Sequence, residues 1–381
     1  MSSRDQGHVN KSASAYAAAG AASGEAEESI NVLVTTAMSR FESPDIVDAR
    51  LPAGQGLPMV MVMGVTGAGK SYFINQMAGK RVVEEGASLR SCTQHCTIVP
   101  ISVGSVKALV IDTPGFDDTS RSDAEILGEI AKLLAGQFTL GFELKGIIYI
   151  HRITDNRYAG SAIKTFEVFK RICGERAMEN VILVTSRWDE VGESTGASRE
   201  HELREGFWAY MLGHGSSLSR YHGDRESARA IAAQLLLKDA VMLQIQDEMV
   251  NAGKNLDETT AGSFVDSSLA KQKLKFEKEL RELEELRRQL RESDRQMKRQ
   301  VQSDLQIQRG KLMDTEEQQV SLKRDIVGEV EEEIKTKKSR WLSGAKKALP
   351  FLPIAFNLLL MFVGLPPVAG VSTALTELFS G

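Results

Sequence analysis

A glycine-rich stretch near residue 64 has the residue types and spacing needed to hold phosphate groups. The sequence GVTGAGKS (64–71) contains three glycines, which let successive backbone N–H groups point at phosphate oxygens. Lys70 would reach the β- and γ-phosphates, and the Ser71 hydroxyl would ligate Mg²⁺. The alternative is a tight turn without a ligand. We predict a nucleoside triphosphate site, surrounded by Gly64, Thr66, Gly67, Ala68, Gly69, Lys70, Ser71 and Tyr72.

The flanking segments provide the elements that such a loop requires. The apolar run MVMVM (59–63) predicts a short buried strand, and KSYFINQMAG (70–79) predicts the first turns of a helix. A helix N-terminus adds positive dipole character where the phosphates would lie. From about 57 to 250, strand-like runs alternate with helical patterns. The sequence therefore predicts an α/β domain with a mostly parallel sheet and helices on both faces.

A second motif ends the strand in KALVIDTPG (107–115). Asp112 lies at the carboxyl end of that strand, where a carboxylate can hold Mg²⁺ through water. The backbone N–H of Gly115 is then placed to contact a γ-phosphate. At this distance after a phosphate loop, the motif predicts the magnesium side of the site.

A third motif, in VILVTSRWDE (181–190), would contact the base. It resembles the Asn- or Thr-Lys-x-Asp of Ras-like and translation-factor GTPases, with Ser186 and Arg187 in place of the usual residues. The resemblance implies that Asp189 reads guanine and that Ser186 and Arg187 lie beside it. An alternative is that Asp189 caps a helix. In that case a P-loop ATPase remains open.

Two further segments indicate one branch of GTPases. The stretch SLRSCTQHC (88–96) resembles the Ser-x-Thr-x-x-Cys of immune-associated nucleotide-binding GTPases and of chloroplast outer-envelope import GTPases, both relatives of the septins. This implies that Thr93 closes on Mg²⁺ and the γ-phosphate. The stretch GIIYIHRITDNRYAG (146–160) is similar to the import GTPases and, more so, to uncharacterised fungal G-domain proteins with a C-terminal coiled coil. The resemblance covers about 57–220. These GTPases have a fifth motif, which contacts the base from behind, and the best position for it in this sequence is GHGSS (213–217).

The residues around Gly115 bear on hydrolysis. Phe116 stands where Ras-like enzymes have the glutamine that orients water, so we expect slow intrinsic turnover. In related families two G domains meet across their nucleotides, and Arg152, with Arg157 and His151, is the candidate to act in trans. The alternative is that these residues form ordinary surface or intrachain pairs. Cys92, His95 and Cys96 do not predict a metal site, because a second ligand pair is missing.

Composition divides the chain into five parts. We expect a disordered, low-complexity lead-in (1–56), the G domain (57–250), a linker (251–266), a charged helical stalk (267–340) and a basic-flanked apolar tail (341–381). The net charge of −4 does not indicate nucleic acid as a partner. Three cysteines do not suggest a disulfide framework, and no signal peptide is apparent. We therefore expect a cytoplasmic protein.

The stalk and the tail leave alternatives open. Phe276, Leu283, Leu290 and Met297 recur every seven residues, with Leu280 and Val301 at the complementary position. The pattern fits a coiled coil, a helical hairpin folding back on the G domain, or a solvated single helix. The tail, uncharged from Ala348 to Thr376, follows a basic stretch with Trp341. It predicts either association with an intracellular membrane or docking on protein.

Two main functions follow from these patterns. One is a GTPase that cycles between GTP and GDP with Mg²⁺, in which a homodimer, formed by the G domain or a coiled coil, completes hydrolysis. The other is a GTP-binding scaffold with little turnover that assembles at a membrane.

Overall fold

The computed structural model describes residues 58–85, 95–104, 106–116, 121–156, 158, 160–290 and 294–344, with the backbone alone for 337–344. The predicted lead-in, Thr93, Cys92, Arg157 and the tail beyond 344 lie outside these residues.

A six-stranded sheet forms the centre of the domain. Its strands are β1 (Pro58–Gly64), β2 (Thr97–Val103), β3 (Val106–Asp112), β4 (Glu143–Arg152), β5 (Val181–Ser186) and β6 (Ser217–Arg220). The order across the sheet is β2-β3-β1-β4-β5-β6, and only β2 runs antiparallel to its neighbour. The predicted α/β fold with a mostly parallel sheet is confirmed.

Helices cover both faces of the sheet. They are α1 (Lys70–Ala78), α2 (Asp123–Thr139), α3 (Gly160–Cys173), α4 (Glu193–Glu202), α5 (Ala209–Gly213), α6 (Arg225–Leu236), α7 (Thr260–Gln289), α8 (Arg295–Leu322) and α9 (Ile326–Gly344). Shorter helical turns span Glu175–Asn180, Trp188–Glu190, Leu203–Phe207, Gln244–Gln246, Asp247–Asn251 and Leu256–Glu258.

The apolar run of β1 explains why this strand lies at the centre. Successive side chains of a strand point to opposite faces. Met59, Met61 and Met63 therefore pack with α2 and α3, whereas Val60 and Val62 pack with α1 and α6. All five side chains are at most 1% exposed. A strand buried on both faces requires apolar residues at consecutive positions, which is what the sequence has.

The last three described helices fold back onto the α/β domain. Helices α7 and α8 form an antiparallel hairpin, joined by Lys273 Nζ to Glu316 Oε1 at 2.7 Å and by Gln319 Nε2 donating to Asp266 Oδ1 at 2.9 Å. Helix α9 returns to α2, where Lys132 Nζ lies 3.2 Å from Glu333 Oε1. Of the three alternatives for the stalk, the structure therefore has the folded-back hairpin.

The predicted heptad seam is interrupted by the turn between α7 and α8: Phe276 and Leu283 lie on α7, whereas Met297 and Val301 lie on α8, and Met297 is 52% exposed. Phe276 is half-buried beside Lys311 of α8, and Val301 of α8 is 3% exposed. A coiled coil between two chains through this seam would compete with the hairpin. Among the residues that the structure describes, no helix is both long and apolar enough to cross a membrane.

The predicted linker at 251–266 is wrong over much of its length. Leu256 is fully buried, and α7 begins at Thr260. The Thr259 hydroxyl caps that helix by accepting from Gly262 N–H at 3.0 Å. Ala261 and Val265 then enter the core beside α3. The Gly and Thr residues of this stretch suggested a flexible connection, but Thr259 and Gly262 form the start of a helix.

Candidate functional site

The glycines of the predicted phosphate loop adopt the backbone conformation that such a loop needs. Gly64, Gly67 and Gly69 have φ values of 141°, 75° and 90°. A Cβ atom on Gly64 would lie 2.1 Å from the carbonyl oxygen of Ile150, so β1 and β4 approach too closely for any side chain here. Gly69 precedes α1 without a side-chain cap, which leaves the N-terminal N–H groups of that helix to a ligand.

The Lys70 side chain lies within this loop. It is 7% exposed, and its ammonium donates to the carbonyl oxygens of Gly64 at 3.1 Å and Val65 at 3.0 Å. These contacts hold a positive charge at the centre of the loop, where phosphate oxygens would accept from it.

Ser71 and Asp112 come together at the carboxyl edge of the sheet. The parallel register pairs Val62 of β1 with Asp112 of β3, which brings the ends of the two strands level. The Ser71 hydroxyl donates to Asp112 Oδ2 at 2.8 Å, and Asp112 is 1% exposed. A hydroxyl and a carboxylate are hard oxygen ligands, so this pair fits Mg²⁺.

The segment after Asp112 is fixed by a neighbouring strand. The Thr113 hydroxyl donates to the carbonyl oxygen of Val62 at 2.8 Å. Gly115 is buried, and Phe116 is 6% exposed with its ring in the core beside α2. An aromatic ring packed in this way has no polar atom with which to orient water.

Ser186 joins the predicted base motif to the phosphate loop. Its hydroxyl is buried and lies 2.8 Å from the carbonyl oxygen of Ala68, to which it donates, and 3.4 Å from that of His151. Serine thus links three neighbouring segments of the site through one hydroxyl.

Arg187 and Asp189 follow Ser186 on the surface. Arg187 has φ 62°, and its Nη1 donates to Glu190 Oε1 at 2.6 Å, so its head group is directed to a neighbouring acid. Asp189 is exposed in the turn Trp188–Glu190. The alternative in which Asp189 caps a helix is wrong, because the N-cap of α4 is Gly192 and that of the turn is Arg187.

The residues considered for action in trans have different environments. Arg152 is the last residue of β4 and lies beside the phosphate loop of its own chain. A Cβ atom added to Gly67 would lie 2.9 Å from Arg152 Nη1. Its side chain is 37% exposed, and its Nε donates to Asp155. His151 is 3% exposed and packs against Tyr158, with ring centroids 5.0 Å apart. His151 is therefore wrong as a residue that reaches another chain.

The loop after β6 belongs to this edge and was missed from the sequence. Tyr221 N–H donates to the carbonyl oxygen of Thr185 at 2.9 Å, continuing the parallel pairing with β5. The Tyr72 hydroxyl donates to the carbonyl oxygen of Gly223 at 3.0 Å and so joins this loop to α1. Burial raises the pKa of the Tyr221 phenol, which keeps it protonated.

The predicted fifth motif GHGSS lies at the opposite edge of the sheet. Ser216, within that stretch, donates to the carbonyl oxygen of Met178 at 2.8 Å, just before β6 begins. The placement at 213–217 is wrong, because the carboxyl ends of parallel strands meet at one edge and residues 221–224 follow β6 there. The sequence contains a signal for this loop, because the strand-like SLSRY (217–221) is followed by the turn residues Gly223 and Asp224.

Two of the three cysteines lie within the described residues, and both are buried. Cys96 and Cys173 are free thiols with at most 1% exposure, and burial raises the pKa of both. Within the described ranges, no three His, Cys, Asp or Glu side chains are arranged to hold a metal ion. A nucleotide-bound Mg²⁺ needs only a few protein ligands, since phosphate oxygens and water supply the rest.

The sheet order, the glycine-rich loop and the Ser71–Asp112 pair define an α/β P-loop GTPase fold. The model of the AIG1 family matches residues 58–202, which contain the loop and both strand-end motifs. The predicted resemblance to immune-associated nucleotide-binding GTPases is thereby confirmed over this segment.

Named relatives agree with the family match. The chain is 30% identical over 139 residues to GTPase IMAP family member 8 of Rattus norvegicus, covering 36% of this chain and 19% of the relative. It is 35% identical over 92 residues to immune-associated nucleotide-binding protein 4 of Arabidopsis thaliana, and this match covers 24% of this chain and 28% of that relative. The match thus spans less than a third of the length of these relatives. Among solved structures, Toc33 of Arabidopsis thaliana with Mg²⁺ and GMPPNP is similar, at 18% identity and a TM-score of 0.39, covering 49% of this chain and 89% of that one.

Proposed function

We propose that this chain binds GTP with Mg²⁺ and hydrolyses it to GDP. The observation that carries the proposal is the contact between Ser71 and Asp112 at 2.8 Å, directly beside a loop of positive-φ glycines. A turn without a ligand would have no need for a buried carboxylate and a hydroxyl at this point.

Each site residue has a role in this proposal. Lys70 would neutralise charge on the phosphates, and Ser71 and Asp112 would hold Mg²⁺, with Asp112 acting through water. When bound, Mg²⁺ would neutralise charge on the β- and γ-phosphate oxygens. Gly115 contacts the γ-phosphate through its N–H, and Asp189 accepts from guanine. Thr93, which lies outside the described residues, would complete the magnesium ligands.

The proposal is tested by nucleotide binding to the full chain. We expect labelled GTP to bind more tightly than ATP in the presence of Mg²⁺, and Asp189→Asn to lose this preference and gain affinity for xanthosine triphosphate. Ser71→Ala should lose the Mg²⁺ dependence. Ser216→Ala is the matched control, because its hydroxyl makes a similar buried bond at the opposite edge. Equal binding of ATP and GTP, indifferent to Asp189→Asn, would contradict guanine selection and favour the P-loop ATPase.

We further propose that turnover is slow in the isolated chain and that Arg152 promotes it. Phe116 cannot orient water, whereas Arg152 lies beside the phosphate loop and is exposed enough to contact a nucleotide. An arginine at a transferring phosphate contributes on the order of 10³–10⁵ in rate. The contact could be made to the chain's own nucleotide or, in a homodimer, to that of its partner.

Mixing two inactive variants separates these two arrangements. Lys70→Ala removes the phosphate contact but retains the arginine, whereas Arg152→Ala does the reverse. If Arg152 acts in trans, the mixture regains turnover, and turnover per chain of the parent rises with protein concentration. If it acts in cis, the mixture stays inactive and the parent's rate per chain is constant.

A GTP-binding scaffold is the second candidate. The buried Phe116 ring favours it, since nothing at that position can support fast hydrolysis. In this case nucleotide occupancy would control assembly at a membrane through the tail at 341–381. Turnover that stays negligible at every protein concentration, together with tight GTP binding, would favour the scaffold over the enzyme.

A further inference from the structure

Trp188 is anchored at the start of the turn Trp188–Glu190, which we call the base-side loop. Its indole Nε1 donates to Thr185 Oγ1 at 3.0 Å and to the Thr185 carbonyl oxygen at 3.2 Å. On the other side the ring meets Gly196 of α4, where a Cβ atom would lie 2.6 Å from Cζ3. The indole therefore fills a slot that only a glycine leaves open.

Arg220 covers this indole from the last residue of β6. Its guanidinium carbon lies 4.0 Å from the ring centroid. Glu200 of α4 accepts from Arg220 Nε at 3.0 Å and from Nη2 at 2.7 Å, and Glu193 accepts from Nη1 at 2.8 Å. A planar guanidinium can stack and donate in its own plane at once, which a lysine ammonium cannot do.

The network closes on itself through Thr185. The Thr185 hydroxyl donates to Glu200 Oε1 at 3.2 Å and accepts from the indole of Trp188. The end of β5, the base-side loop, α4 and β6 are thus joined by one set of contacts. We call Thr185, Trp188, Glu200 and Arg220 the indole clamp.

Asp189 depends on its neighbours for its position. Within the described ranges, no hydrogen bond or ion pair involves the Asp189 side chain, which is exposed. Arg187, on the other side, is directed to Glu190. The backbone that carries Asp189 is therefore held from two directions: Trp188 fixes it to the end of β5, and Glu190 N–H donates to the Arg187 carbonyl oxygen at 3.3 Å.

We propose that Arg220, acting through Trp188, is a positioning residue for base recognition: the indole clamp holds Asp189 where it accepts from guanine. This inference rests on the proposed function, since it takes GTP as the ligand. It assigns base selectivity to a residue of β6 that lies outside the Ser-Arg-Trp-Asp motif.

The test compares GTP with inosine triphosphate, which lacks the exocyclic amino group of guanine. We expect Arg220→Ala to weaken GTP binding by on the order of tenfold, the value of one hydrogen bond to a charged group. Inosine triphosphate should be weakened less, because its base offers Asp189 only the N1–H donor. Arg220→Lys should give an intermediate loss, because it keeps the charge but not the stacked plane. Arg229→Ala is the matched control, since that arginine donates to the carbonyl oxygens of Met77 and Ser102 away from the clamp.

A double variant distinguishes positioning from a general loss of structure. In the Asp189→Asn background, Arg220→Ala should change GTP affinity little further, because its effect passes through Asp189. Equal weakening of GTP, inosine triphosphate and ATP by Arg220→Ala, or full additivity with Asp189→Asn, would overturn the clamp. A parent chain without any preference for GTP over ATP would instead contradict the proposed function, and the inference with it.

Discussion

The carboxylate of Glu129, on α2, joins the segment before β2 to the segment before α2. Its Oε1 accepts from Cys96 N–H, just before β2, and its Oε2 lies 2.6 Å from Arg121 Nη1. His95 Nδ1 is 3.5 Å from the same oxygen. Thr97, the next residue along, pairs with Asp112 across the sheet, so this contact is close to the predicted metal ligands.

Replacing Glu129 with alanine removes both contacts at once. Cys96 is fully buried, and leaving its N–H without an acceptor costs about 1–3 kcal/mol. The ion pair with Arg121 is mostly buried, at 10% and 18% exposure, but Arg121 can turn to water. We therefore take the loss of the ion pair between Glu129 and Arg121 to lower the unfolding free energy by about 1–2 kcal/mol, which is less than for a fully buried pair. The expected decrease in unfolding free energy is about 2–5 kcal/mol.

Urea unfolding of the full chain measures this decrease. Glu129→Gln keeps an acceptor for Cys96 N–H but loses the charge, so it should lie between the parent and Glu129→Ala. Glu125→Ala is the control on the same helix, because Glu125 is exposed and only completes the cap at Ser122. Its cost should be about 1 kcal/mol or less. If Glu129→Ala lowers the unfolding free energy no more than Glu125→Ala does, the Glu129 carboxylate does not join these segments and the reasoning is refuted.

Three further outcomes follow from the described contacts. Gly64→Ala should not fold, because its Cβ atom would lie 2.1 Å from a carbonyl oxygen of β4. Gly69→Ala has open space for its Cβ atom, so its unfolding free energy should fall by only about 1–2 kcal/mol, because of the positive φ. Thermal melts of the two variants would show this difference. Cys96 and Cys173 should resist iodoacetamide in the folded chain at pH 8, since burial raises the pKa of both thiols; rapid labelling detected by peptide mass spectrometry would contradict this. Burial would raise the pKa of Glu248, but hydrogen bonds from the start of α7 lower it overall. Its stabilisation is thus present above the ordinary carboxyl pKa and is lost as the pH falls through the lower, folded value. Glu248→Gln should be less stable than the parent at pH 7 and should match it in strong acid.

The centre of the fold was predictable because its signals are local. The apolar run of β1, the glycine-rich loop and the start of α1 occur consecutively in the sequence, and the structure has them in that order. Asp112 could be placed for a related reason, since residues that end parallel strands meet at one edge. The contact between Ser71 and Asp112 joins residues 41 positions apart, yet it follows from this rule alone.

The parts that were missed depend on packing between distant segments. The orientation of Arg187 is set by Glu190 and a positive φ, and the burial of His151 by Trp208 and Tyr158, none of which a motif encodes. The loop after β6 was missed because β6 is short and only partly buried, which gives a weak strand signal. The heptad pattern of α7 fits a partner helix from the same chain as well as one from another chain.

The return of α9 to α2 also has a consequence for the order in which the protein can fold during synthesis. Ile326, Val330 and Ile334 cover the same core as α2, although about two hundred residues separate them in the chain. A nascent chain that has completed its sheet would therefore still expose part of the apolar surface of α2 until the last helices leave the ribosome. Such surfaces promote aggregation, so a chain shortened after residue 255 would retain every motif of the site and lose the cover of its core.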